Sequence, residues 1–166
     1  MPLVDALLPE FDREMAVTRR MLAVVPIANG DWTPHAKSRT LRQLASHLAN
    51  IPLMGFNILT LPMLDIGASY ARQSDCNTTE ELLARLDENA AKTRGALVGR
   101  LDAELVAPWT MKKDGREMFA LPKSVAWRNL MVSHLIHHRG QLTVYLRLNN
   151  VAVPPAYGPT ADEMIW

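Results

Sequence analysis

His134 and His138 stand four residues apart in Ser133-His134-Leu135-Ile136-His137-His138-Arg139-Gly140-Gln141. On a helix that spacing points both rings from one face, ~5–6 Å apart at Cβ, close enough to grip one ion together. His47 lies between Leu44 and Ile51 at spacings of three and four, so it too can face inward from a second helix. Three neutral imidazoles, with the remaining positions open to water, resemble a catalytic rather than a closed structural site. With imidazole ligands and no thiolate pair, the expected cofactor is a divalent transition metal, zinc or nickel ahead of iron and copper. A lone inward histidine such as His47 is more often a hydrogen-bonded core residue, and paired histidines on a helix are common without metal. Both readings stand on spacing alone.

The neighbouring residues are less specific. His137 lies ~60° around the helix from His134 and suits a supporting hydrogen bond or a partner subunit. His35 follows Pro34 in a loop and reads as a surface or loop-fixing histidine. Arg139 can pair with an acid or hold an anionic substrate, and a structural ion pair is the simpler reading. Gln141 can orient a metal-bound water or make a core hydrogen bond. Gly140 costs a helix interior roughly 0.5–1 kcal/mol relative to Ala, which points to a close helix approach, including one across a dimer contact. Cys76 has only Arg72 near it in sequence and reads as inert. No Gly-x-Ser-x-Gly elbow or Gly-rich phosphate loop is present.

Four helical segments must position these residues. The first runs from about Pro9 to Val24, with Phe11, Met15, Thr18 and Leu22 as its stripe and Pro9 at the first helical position. The second starts at Thr40, where Gln43 completes a capping box, and buries Leu41, Leu44, Ala45, Leu48 and Ile51. Pro52 kinks it, and helix resumes towards Leu61. The third opens on a second capping box, Thr78 with Glu81, and carries Leu82, Leu86, Ala90, Thr93 and Leu97. Asp114-Gly115, between Trp109-Thr110-Met111 and Glu117-Met118-Phe119, suggests a tight turn and with it a short hairpin. The fourth helix runs from about Pro122 to Leu148 and stops at Asn149-Asn150. The tail from Ala156 is expected to be ordered, because an exposed Trp166 would waste a large apolar surface. The long connections leave the topology open.

The 166 residues suit one domain, 1–166, able to bury a sizeable core without disulfides. With 48% hydrophobic and 21% charged residues, neither disorder nor a membrane protein is indicated. A net charge of +1 and no Lys/Arg block argue against nucleic acid as a partner. No run reaches the ~20 apolar residues of a membrane helix. The single cysteine fits a reducing compartment. The acidic start, with Asp5, Glu10 and Asp12, does not read as a secretory signal. The expected location is the cytoplasm.

The run from His134 to Leu142 and Arg39-Thr40-Leu41 with Leu44-Ala45 leading to His47 resemble the DinB/YfiT-like metalloenzymes. So do the loop residues Trp32, Pro34, His35, Lys37 and Ser38, and Tyr157-Gly158-Pro159 near the end. The likeness covers nearly the whole chain. It implies an all-α, up-down-down-up four-helix bundle, frequently a homodimer, with a metal bound by three histidines. That pattern falls on His47, His134 and His138. Similar proteins include thiol-dependent S-transferases and isomerases. The expectation is therefore a metal-dependent enzyme whose ion activates water or a low-molecular-weight thiol against a small-molecule substrate, S-transferase-like or hydrolase-like, with catalytic residues unassigned. Thiol transfer fits somewhat better, because no evident Glu or Asp base accompanies the histidines. The alternatives are a non-catalytic, metal-binding, stress-associated dimer and a plain helical interaction module.

Overall fold

Helix α1, Leu3–Ala23, begins six residues before the expected start at Pro9 and carries that proline inside it. In the computed structural model, which describes residues 1–68, 70, 71 and 73–164, two features account for this. Leu7 extends the buried stripe of Phe11, Met15, Thr18 and Leu22 towards the N-terminus. The Leu3 N–H, an orphan donor of the first turn, is capped at 2.7 Å by the Asp102 carboxylate, 99 residues away. A partner that distant leaves no local signature.

Helix α2, Leu41–Thr60, forms the expected capping box: Thr40 Oγ1 accepts from the Gln43 N–H at 3.2 Å, and Gln43 Oε1 accepts from the Thr40 N–H at 3.1 Å. It runs through Pro52 against helix α3, Thr79–Leu97, which supports the stretch around the proline. Buried Thr93 donates to the Pro52 carbonyl at 2.7 Å, and Asn89 Nδ2 donates to that of Ala49 at 3.0 Å. Gly55 permits this approach, since a Cβ there would lie 3.0 Å from both Thr93 and Trp127. At the start of α3, Thr78 accepts from the Glu81 N–H as expected, but Glu81 reaches back to the N–H of Asn77 rather than of Thr78.

The all-α expectation needs correction: the fold is mostly helical but includes a three-stranded sheet. Strand β1 is Met63–Asp65, and after the short helix α4, Asp102–Leu105, come β2, Pro108–Lys113, and β3, Arg116–Pro122. Strands β2 and β3 form the hairpin, turning on Asp114 (φ 50°) and Gly115 (φ 78°), the two positive φ values of a type I′ turn. Strand β1 pairs parallel to β2, with Met63 opposite Thr110. Three residues are too few to show an alternating pattern, and their partner lies far along the chain.

The last helical stretch has the expected extent but not a uniform interior. It comprises α5, Lys123–Trp127, six residues of wide π turns from Arg128 to Ser133, and α6, His134–Leu148. Such turns are rare and occur frequently at functional sites. Helices α1 and α2 each pack on α3 and α6, around a core that includes Phe11, Leu22, Leu48, Trp127, Met131 and Leu135. Trp166, the expected anchor of the tail, lies outside the described residues. The preceding segment is tied down by ion pairs, Glu163 to Arg20 and Asp162 to Arg147. Among the described residues no helix is long and apolar enough to cross a membrane.

Candidate metal centre

Helix α2 supplies His47 between the buried residues Leu44 and Leu48, and α6 supplies His134 and His138 on its first two turns. His134 follows directly on the wide turns. The three Nε2 atoms converge: His134 Nε2 lies 3.2 Å from that of His47 and 2.9 Å from that of His138. Two nitrogens that each lie ~2.0–2.1 Å from one ion, and subtend ~90–105° there, are about 2.9–3.3 Å apart. The donor set therefore fits a single transition-metal ion of the zinc class, and among the described residues no carboxylate or thiol belongs to the same cluster.

Neighbouring acceptors select the correct tautomer. His134 Nδ1–H donates to the Leu130 carbonyl at 3.3 Å, from within the wide turns, and His138 Nδ1–H donates to Gln141 Oε1 at 2.7 Å. With Nδ1 carrying the proton, each Nε2 presents a lone pair to the convergence point, the usual arrangement behind a metal-bound imidazole. Burial is the main cause that pushes both rings below the ordinary histidine pKa; the nearby charges of His137 and Arg39 act in the same direction, and the Nδ1 hydrogen bonds oppose it. Both imidazoles are thus neutral, the form a metal requires, at neutral pH.

A cavity of about 640 Å³ opens from this point, lined by His47 and His134 together with Arg39, Asn50, Tyr70 and Asp75. Sequence reading assigned no role to those last four. Asn50 could have been found, because it lies three residues beyond His47 and so on the same helical face.

The other candidates divide. Arg139 is a structural ion pair: its guanidinium lies buried against Glu14, 2.6 Å away. Gln141 acts on His138 directly. His137 is exposed, its ring 5.0 Å from that of His138, and stands outside the cluster. His35 Nδ1 accepts from the Lys37 N–H at 3.1 Å and holds its loop. Cys76 is fully buried, and burial pushes its thiol up, consistent with an inert residue. Gly140 has nothing within 4 Å of where a Cβ would stand, so no close approach within the chain explains it.

Comparison with solved structures places this fold beside two DinB-like proteins. That of Bacillus subtilis superposes with a TM-score of 0.69 at 16% identity, covering 91% of this chain and 96% of its own. That of Bacillus cereus gives 0.69 at 21% identity, covering 92% and 97%. Both likenesses speak for the fold. A search of curated proteins finds no match. The sequence model of the DinB family matches residues 3–165, and the chain belongs to that family.

Proposed function

We propose that this protein is a metal-dependent enzyme in which His47, His134 and His138 hold a divalent transition ion, zinc or nickel, beside a cavity that admits a small-molecule substrate. The observation that carries this reading is the convergence of three Nε2 atoms from two helices, with the opposite nitrogens of His134 and His138 already committed to acceptors. When bound, such an ion supplies Lewis acidity that lowers the pKa of water or of a low-molecular-weight thiol. The chain's own residues do the rest. Leu130 and Gln141 fix ring orientation, and the apolar wall of Ile51, Leu53 and Met54 excludes water from one side of the cavity. Thiol transfer is favoured over hydrolysis because, among the described residues, no carboxylate joins the histidine cluster itself, Asp75 being part of the cavity lining and not of the ligand group.

The same reading takes the four long helical stretches as an up-down-down-up bundle, which the packing of α1 and α2 against both α3 and α6 supports. It also takes the protein as a homodimer. Val144 and Leu148, exposed one and two turns beyond Gly140, offer an apolar strip for a second copy, and a single-chain mass by light scattering would remove that part.

Elemental analysis of protein purified without a histidine tag tests the centre, beside a His134→Ala, His138→Ala double variant. The expected result is about one zinc or nickel per chain, lost in the double variant. Protein that is metal-free and refuses added zinc and nickel overturns the reading. Loaded protein that turns over neither thiol conjugates nor esters and amides leaves a metal-binding protein without catalysis, the alternative above.

A further inference from the structure

Arg39 stands at the rim of the cavity, one residue before the Thr40 cap of α2. Its backbone is held in place, for its carbonyl accepts from the hydroxyls of Thr33 at 3.3 Å and Tyr145 at 3.1 Å. Its guanidinium makes no ion pair or hydrogen bond among the described residues. Several other arginines sit against carboxylates, as Arg94 does with Asp12 and Arg128 with Glu10. A pinned backbone and an uncommitted guanidinium at a cavity mouth suit recognition of an anion brought from outside.

The remaining walls define the rest of that ligand. Ile51, Leu53, Met54 and Ile66 make one side apolar. Into this wall Asn50 brings a side-chain amide whose Oδ1 is buried without a hydrogen-bond partner among the described residues. A half-turn about its terminal bond exchanges oxygen and nitrogen, so the amide can meet a polar atom on a ligand. The volume, about 640 Å³, falls within the range of small-molecule sites. Among the described residues the lining offers one cation, Arg39, beside the carboxylate of Asp75, a balance that suits a monoanion better than a phosphate dianion, which Asp75 would repel more strongly. The histidine cluster adds no negative charge of its own, so nothing in it competes for Arg39.

We propose that the cavity binds a small organic carboxylate with a largely apolar body, Arg39 serving as its counter-ion and the far end of the ligand lying at the histidine cluster. This deepens the metal-enzyme reading and rests on it for which end of the ligand reacts; the pairing with Arg39 does not need the ion.

The test is calorimetric titration with hexanoate and with hexanamide, its neutral counterpart, on wild type, Arg39→Gln and Arg39→Lys, each metal-stripped and zinc-loaded. Metal-stripped wild type should prefer hexanoate by about tenfold or more, as a charge-assisted hydrogen bond does over a neutral one. Arg39→Gln should abolish that preference and Arg39→Lys should keep part of it. Equal binding of the two probes, no binding of either, or a preference that survives in Arg39→Gln overturns the proposal. The two readings fail separately. An Arg39-dependent preference in a protein that takes up no metal would sink the metal centre and leave the carboxylate site standing, whereas stoichiometric metal without that preference would do the reverse.

Discussion

Arg139 shows what a buried charge requires of its neighbours. Nη2 donates to Glu14 Oε2 and to the Tyr157 hydroxyl, both at 2.6 Å, while Nη1 reaches Thr18 Oγ1 and the Glu14 carbonyl at 3.2 Å. Tyr157 in turn donates to Glu14 Oε2 at 2.8 Å. With the two charged side chains only 2% and 5% exposed, water cannot replace a missing partner. Removing one member strands the other, at a cost of about 3–5 kcal/mol, whereas replacing both by apolar groups of similar volume is far less costly. We expect Glu14→Leu and Arg139→Met each to lower the unfolding free energy by about that amount in urea denaturation, and the double variant to recover much of the loss. Additive losses would show that the pair is not a unit. Spacing marked His47, His134 and His138 as inward-facing candidates, because each histidine falls in with the helical period of its own element, and the family resemblance joined them into one set. It could not reveal the pairing of Arg139, whose partner lies 125 residues away. Gln141 was visible as a polar neighbour of the histidines, yet its ligand, the Nδ1 of His138, depended on a rotamer that no spacing specifies.

One carboxylate fastens the turn of the β-hairpin to β1. Asp65, at the end of β1, accepts from the N–H groups of Gly67 and Asp114 at 2.9 Å and of Gly115 at 2.7 Å, and so fastens the turn to the neighbouring strand. The Gly115 hydrogen bond is the largest cause that holds this carboxyl below its ordinary value of 3.8, followed by that from Gly67. Because the folded pKa is the lower one, the folded state favours the charged form. The contribution is present above the unfolded value, 3.8, and is lost as pH falls through the lower folded value. Asp65→Asn should therefore be less stable than wild type near neutral pH, with the two urea midpoints converging as the pH falls below 3.8 and through the lower folded value. A gap that persists unchanged into acid would mean that shape, not charge, holds the turn. Elements with local chemistry were legible: the Thr40 and Thr78 caps and the Asp114-Gly115 turn all declare themselves within four residues. The start of α1, strand β1 and the wide turns at Arg128–Ser133 did not, since each is imposed by a distant partner or breaks the helical period from which the reading was made.

Across the whole molecule, the histidine cluster is where two helices far apart in sequence meet: His47 on α2 and His134 on α6 are separated by 87 residues. The long connections between the helices concealed which of them would be neighbours, so this contact had to come from the packing of α2 against α6. An ion shared by all three imidazoles would cross-link the two helices in the folded state only, and binding to the folded state stabilises by mass action, about 2.7 kcal/mol at a free concentration 100 times the dissociation constant. Zinc added to stripped protein at that level should raise the unfolding free energy of wild type by about this much, less whatever the unfolded chain also binds. His47→Ala leaves His134 and His138 as an i, i+4 pair on one helix, which can hold an ion weakly but cannot join α6 to α2, so at the same zinc concentration most of the gain should vanish. An equal gain in the variant would place the ion outside the cross-link and remove His47 from the centre. Wild type that unfolds once stripped, and whose loaded form exchanges no ligand, would instead assign the ion to holding the fold together rather than to chemistry in the cavity beside it.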